Sequence, residues 1–137
     1  MNQRQAEKTE NGQRPKLVPA LLSGNLDRTQ AFFHRLGFHT EHLDGPDQHP
    51  RRLGLTRDGI YLFFFDEPVG RHRSPAMSGT LYIFPPDVDA LAREWQGKVR
   101  FLWGPMLMPY GLYEFGIADP DGYYLAFAER RHPAQPG

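Results

Sequence analysis

The sequence predicts an α+β fold in which two βαβββ units form a curved mixed sheet around a cleft. Three observations point there. Asp58-Gly59-Ile60-Tyr61-Leu62-Phe63-Phe64-Phe65-Asp66 recurs as Asp121-Gly122-Tyr123-Tyr124-Leu125-Ala126-Phe127-Ala128-Glu129, 63 residues later. Upstream of each copy runs an apolar strand, a helix start and an amphipathic helix, from Leu17 to Phe38 and from Thr80 to Phe101, again 63 apart. Two helix caps, Asn25 and Asp87, are 62 apart. A near-constant offset across separate elements indicates duplication of one supersecondary unit. Two copies are too few for a solenoid, so the units are expected to close on each other and leave a cleft between them.

Each element has a local reason. Leu17 to Leu22 is an apolar strand stopped by Ser23-Gly24. Asn25 suits a helix N-cap, and Leu26, Phe32, Phe33 and Leu36 form one apolar stripe up to a stop at Gly37. Phe38 to Leu43 reads as a strand, followed by a polar loop. Arg52 to Thr56 and Ile60 to Phe65 flank Arg57-Asp58-Gly59, a hairpin turn in which glycine accommodates positive φ. Pro68, Gly70, Pro75, Ser78 and Gly79, with Arg71-His72-Arg73 among them, mark a linker over residues 67–78. The pattern then restarts with a strand from Thr80 to Phe84, the cap Asp87, and a helix carrying Val88, Leu91, Ala92 and Trp95. Strands are expected near Val99 to Trp103, Tyr113 to Ala118 and Tyr123 to Ala128, with Gly104 to Gly111 as a loop. The units are therefore placed at residues 17–66 and 79–130 of a single domain, behind a polar, disordered tail over residues 1–16.

Composition narrows the class. At 137 residues one core suffices. Sixteen basic and sixteen acidic residues cancel, so no electrostatic footprint for nucleic acid or an anionic membrane is present. No apolar run reaches the length of a membrane span, and the N-terminus lacks the apolar stretch of a signal peptide. The absence of cysteine rules out disulfides and thiolate metal sites and suits a cytoplasmic protein. Ten Phe, six Tyr and two Trp exceed what the core alone requires and leave rings for a cleft.

The two βαβββ units, the helix ending Leu36-Gly37-Phe38 and the closing Asp119-Pro120-Asp121-Gly122 hairpin resemble the vicinal oxygen chelate superfamily. That group includes glyoxalase I, extradiol dioxygenases, fosfomycin-modifying enzymes and the bleomycin resistance proteins. The resemblance covers about Leu17 to Glu129. It implies a fold; one fold hosts many chemistries. Catalytic members hold a divalent metal with a His on the first strand of unit one, a His or Gln opening unit two, and a Glu on the last strand. Those positions fall here on Val18, Thr80 and Ala126. Val and Ala carry no donor atom, and a single Thr hydroxyl cannot hold a divalent ion. No metal and no cofactor are therefore expected.

The six histidines, His34, His39, His42, His49, His72 and His132, lie off these strands, and each is read as a surface or hydrogen-bonded side chain. His39 and His42, three apart on one strand, are expected on opposite faces. Glu41 and Glu114 would serve as general bases if buried in a cleft, but a solvated carboxylate is the expected state.

If Val18, Thr80 and Ala126 mark the cleft face, alternation puts Tyr82, Phe84 and Tyr124 on it, and the repeat adds Tyr61, Phe63 and Phe65. Such a surface suits planar or aromatic ligands, with phenol hydroxyls setting orientation. Among metal-free members the pattern is most similar to the bleomycin resistance proteins, through Val18-Pro19-Ala20-Leu21, Glu94-Trp95, and Tyr110-Gly111 before Glu114-Phe115. That resemblance implies a homodimer sequestering a drug between two chains. It implies ligand stacking on Tyr82 and Tyr110, polar contacts at Glu41 and His42, and Phe65 in place of a serine contact. The neutral chain points to a smaller or less charged ligand than a cationic glycopeptide. The expected function is metal-free binding of an apolar or aromatic small molecule, antibiotics among the candidates. The alternative is a glyoxalase-like lyase or isomerase, or a dioxygenase-type enzyme, of the same superfamily.

Overall fold

The computed structural model describes residues 15–44, 51–67 and 73–131. The first unit contains β1 (Ala20–Leu22), α1 (Leu26–Arg35), β2 (His39–Leu43), β3 (Arg52–Arg57) and β4 (Ile60–Phe65). The second contains β5 (Thr80–Ile83), α2 (Val88–Trp95), β6 (Trp103–Leu107), β7 (Leu112–Ala118) and β8 (Tyr124–Arg130). They form two four-stranded mixed sheets, ordered β1-β4-β3-β2 and β5-β8-β7-β6. In each, the opening strand pairs parallel with the closing one, and the other pairs are antiparallel. The fold is α+β, and its two βαβββ units follow the repeat in the sequence. No helix among the described residues is long and apolar enough to cross a membrane.

Local chemistry sets the ends of the elements. The Asn25 side chain accepts from Arg28 N–H and the Asp87 side chain from Ala90 N–H, each at 3.0 Å, capping α1 and α2. The Phe38 and Gly37 amides donate to the carbonyls of Phe33 and His34, both at 3.0 Å, closing α1 in a Schellman arrangement. Between β3 and β4 both turn residues are left-handed, Asp58 at φ 50° and Gly59 at φ 79°, as a two-residue hairpin with the twist of its strands requires.

The structure departs from the sequence expectations at three places. Strand β1 begins at Ala20, not Leu17, and Leu17 is exposed. The sixth strand is Trp103–Leu107, not Val99–Trp103, so part of the expected loop is strand. Val99 and Phe101 instead pack against the core as irregular chain. Pro105 is tolerated because β6 is an edge strand whose outer side needs no donor. Finally, β2 bulges between Thr40 and His42, with Glu41 as the extra residue. His39 and His42 thus pair with Thr56 and Gly54, alternate residues of β3, and share a face rather than opposing one another. Most of the tail over residues 1–16, the loop over residues 45–50, Arg71-His72 of the linker, and His49, His72 and His132 lie outside the described residues.

The core fills the back faces of both sheets and the space between the helices. Leu26, Phe33 and Leu36 of the first unit meet Val88, Leu91 and Trp95 of the second in one cluster with Phe64, Phe115 and Phe127. Trp95 is fully buried, edge-on to Phe115 and Phe127 at 5.8 and 4.8 Å. Its indole N–H donates to the Leu36 carbonyl at 3.0 Å, and Arg57 donates to the same carbonyl at 2.6 Å. Arg57 also pairs with Glu94, which holds the Glu94 carboxyl below its usual range.

A second clasp lies at the β7–β8 turn. Asp121 accepts from Gly24 N–H at 3.1 Å and from Arg28 at 2.9 Å, while Tyr123 donates its hydroxyl to the Leu22 carbonyl at 2.7 Å. Buried Asp119 accepts from the Asp121 and Tyr123 amides, and its other oxygen has no partner. Burial pushes its carboxyl up to about 6 from 3.8, only partly opposed by those two amides. A carboxyl whose pKa rises on folding stabilises the fold below its unfolded value, and that contribution is lost as pH climbs through the folded one. Stability linked to Asp119 should therefore fall by on the order of 2 kcal/mol between about pH 4 and pH 7. Thermal midpoints across that range should decline less in Asp119→Asn, which keeps the accepting oxygen. Parallel profiles for parent and variant would contradict this.

Candidate functional site

The open face of the second sheet has a small-residue floor and an aromatic rim. Gly116 and Ala118 on β7 pair with Ala126 and Tyr124 on β8, and Glu114 pairs with Ala128. Tyr82 on β5 pairs with Ala126, and Trp103 on β6 pairs with Gly116. Directly paired residues share a face, so all of these line one surface. The Trp103 indole lies flat over Gly116, where any Cβ would overlap its ring atoms. Glycine is required there to seat the ring.

Glu114 rises from this floor with no exposed surface. One carboxylate oxygen accepts from the Trp103 indole N–H at 3.2 Å. The other accepts from the Tyr82 hydroxyl at 3.3 Å and from the Tyr110 hydroxyl, and the two hydroxyls are 3.0 Å apart. The expectation of a solvated Glu114 is overturned: the strand turns it inward, and three aromatic donors replace water. Tyr82 and Tyr110 are themselves 42% and 55% exposed, so their rings form the lip between carboxylate and solvent. Tyr124, 46% exposed, leans on Trp103 at 6.2 Å, and Phe84 projects beyond the end of β5.

The remaining expected site residues lie elsewhere. Phe63 and Phe65 are on β4 in the first sheet, both partly buried. Phe63 stacks on His42 at 6.0 Å, and His42 pairs with Asp44 at 2.9 Å. Glu41 is the exposed bulge residue of β2. Tyr61 and Tyr82 both line a cavity of about 240 Å³ between β4 and β5, bordered by Pro19, Ile60 and Phe84. Trp103 was not among the expected site residues. Its signal was Gly116, a glycine inside an otherwise bulky strand, which marks close approach of another group.

The metal positions do not fit a metal. Val18 lies ahead of β1, Ala126 is buried in the floor, and Thr80 contributes one hydroxyl. Among the described residues no three His, Asp or Glu side chains converge on a point.

No protein-family model and no curated protein matches the chain. Solved structures do share its fold. A bleomycin-binding protein complexed with bleomycin matches with TM-score 0.67 at 24% identity, over 85% of this chain and 99% of that one. TioX from Micromonospora sp. ML1 matches with TM-score 0.68 at 20% identity, over 87% and 99%. Lactoylglutathione lyase from Agrobacterium tumefaciens matches with TM-score 0.59 at 21% identity, over 84% and 94%. The chain thus has the vicinal oxygen chelate fold, common to glyoxalases, bleomycin resistance proteins and dioxygenases. Identities this low establish the fold and leave activity to the site.

The network makes a spectroscopic prediction. The Tyr110 phenol is pushed well above its ordinary range, first by its hydrogen bond to Glu114 and then by Tyr82. It should remain a neutral donor after an exposed tyrosine has ionised. In an ultraviolet titration of the six tyrosines, Glu114→Gln should bring one late midpoint down, and Tyr110→Phe should remove it. A Glu114→Gln profile superimposable on the parent's would contradict the coupling.

Proposed function

We propose that the protein is a metal-free, homodimeric binding protein that sequesters an apolar or aromatic small molecule on the open face of its second sheet. One observation carries this reading: a rim of Tyr82, Trp103, Tyr110 and Tyr124 stands where the catalytic fold would place metal donors, above Thr80 and Ala126. Rings held by a shared carboxylate are oriented before a ligand arrives, which limits the ordering cost of binding. Their exposed faces offer stacking and apolar burial, and the phenols offer orientation. A solved neighbour of this fold is a bleomycin-binding protein complexed with bleomycin, which supports the class of activity without naming a ligand here.

Homodimer formation is part of the same reading. Tyr82, Phe84, Met106, Tyr110 and Tyr124 together leave one sheet face with large exposed apolar side chains. A second chain would cover that face and close the pocket around its ligand. The cytoplasm, where no disulfide is needed, suits such a protein.

A glyoxalase-like lyase or isomerase is the second reading, and Glu114 is the observation that favours it. A buried carboxylate is a candidate general base. In this network both of its oxygens already accept hydrogen bonds. Chemical change of any bound compound on prolonged incubation would move the weight to catalysis.

Tyr82→Ala and Tyr110→Ala should each weaken binding of an aromatic ligand about ten- to a hundredfold, the effect of losing one stacked ring in a desolvated site. Because both rings are substantially exposed, the melting temperature should fall far less than for truncation of a core aromatic. Calorimetric titration with a panel of aromatic antibiotics, with light scattering on the same samples, measures affinity and oligomeric state together. Unchanged affinity in both variants, a monomer at micromolar concentration, or one equivalent of bound transition metal per chain would each overturn the corresponding part of the proposal.

A further inference from the structure

Three carboxylate side chains are buried among the described residues, those of Glu114, Asp119 and Asp121, and Asp121 is paired with Arg28. Asp119 sits in a turn, takes two backbone amides and feels the charge of Arg28. Glu114 has a different setting. No basic side chain among the described residues forms an ion pair with it, and all its donors are neutral: one indole N–H and two phenols. Removing a carboxylate from water costs several kcal/mol even after relaxation. Neutral donors offset part of that cost and leave the charge itself uncompensated. The donors also belong to the rings that form the mouth of the site, and the longest of the bonds, at 3.3 Å, comes from Tyr82.

We propose that Glu114 is the specificity determinant of the site and selects ligands in which a protonated nitrogen is attached to a planar aromatic group. The inference rests on the aromatic-ligand reading above and adds the ligand's charge. An ammonium or amidinium entering between Tyr82 and Tyr110 would take the place of the Tyr82 hydroxyl on the carboxylate. It would then lie beside the hydroxyl ends of Tyr82 and Tyr110, whose oxygens can accept from its remaining N–H groups. The ligand's ring would cover the rest of the rim. Net charge does not oppose this, because the charge that matters is one buried carboxylate in a low-dielectric site and not the sum over the chain. The smaller or less charged ligand implied by the neutral composition is therefore narrowed to a small ligand with a localised positive charge.

A matched pair of probes tests it. 9-Aminoacridine is protonated at neutral pH, whereas acridine has the same ring system and is largely uncharged. Titrated calorimetrically into the full chain, the cation should bind at least about tenfold more tightly. The ratio should survive in roughly 0.5 M salt, because a buried pair is screened little. In Glu114→Gln, which retains an oxygen for the phenols, the ratio should collapse toward about one through loss of affinity for the cation alone. Equal binding of the two probes to the parent, or a ratio that Glu114→Gln leaves intact, would overturn the inference while leaving the aromatic site in place. Failure of both probes to bind would overturn both. If Glu114→Gln does not fold, the ratio in the parent and its persistence in salt decide the question without the variant.

Discussion

One buried carbonyl holds the two units in register. The Leu36 oxygen, at the end of α1, accepts from the Trp95 indole and from Arg57, and Arg57 is itself fixed by Glu94 on α2. A helix C-terminus leaves its last carbonyls without intrahelical partners, so satisfying one from the other unit converts a local defect into a docking point. Around it Phe38, Phe115 and Phe127 enclose the Trp95 ring. With the back faces committed to this core, the front of the second sheet remains free to carry a site.

That front face pairs a buried acid with exposed rings. Small residues along β7 and β8, Gly116 and Ala126 among them, leave room over the sheet for the Trp103 ring and the Glu114 side chain. The carboxylate then organises the rings, and the rings shield the carboxylate. Each half supports the other: the donors offset part of the cost of burying the acid, and the acid limits the rotamers open to the rings.

Much of the fold was legible in the sequence because it depended on local chemistry. The Asn25 and Asp87 caps, the Asp58-Gly59 turn and the repeated apolar pattern are short-range signals. What was missed depended on pairing across strands. The β2 bulge at Glu41 moved His39 and His42 onto one face, and register alone decides that. The sixth strand slid onto Gly104-Pro105 because an edge strand forgives a proline that composition marks as a loop. In the site, alternation placed Tyr82 and Tyr124 beside Ala126 and Thr80. The burial of Glu114 was not legible, since it needs three rings from β5, β6 and the loop before β7 to arrive together. The glycine at 116 was the trace of that convergence, visible only once Trp103 is known to pair with it.

The most direct test of an aromatic site at Trp103 uses the two indole N–H resonances of the protein, one for each tryptophan. Trp95 is sealed in the core and bonded to a backbone carbonyl, whereas Trp103 donates to Glu114 at the rim. With the signals assigned through Trp103→Phe, nitrogen–proton correlation spectra are recorded as 9-aminoacridine is added. The Trp103 resonance should shift and saturate with the calorimetric affinity while the Trp95 resonance holds its position. Saturable binding that moves only Trp95, or moves neither indole, would place the ligand elsewhere and contradict the site described.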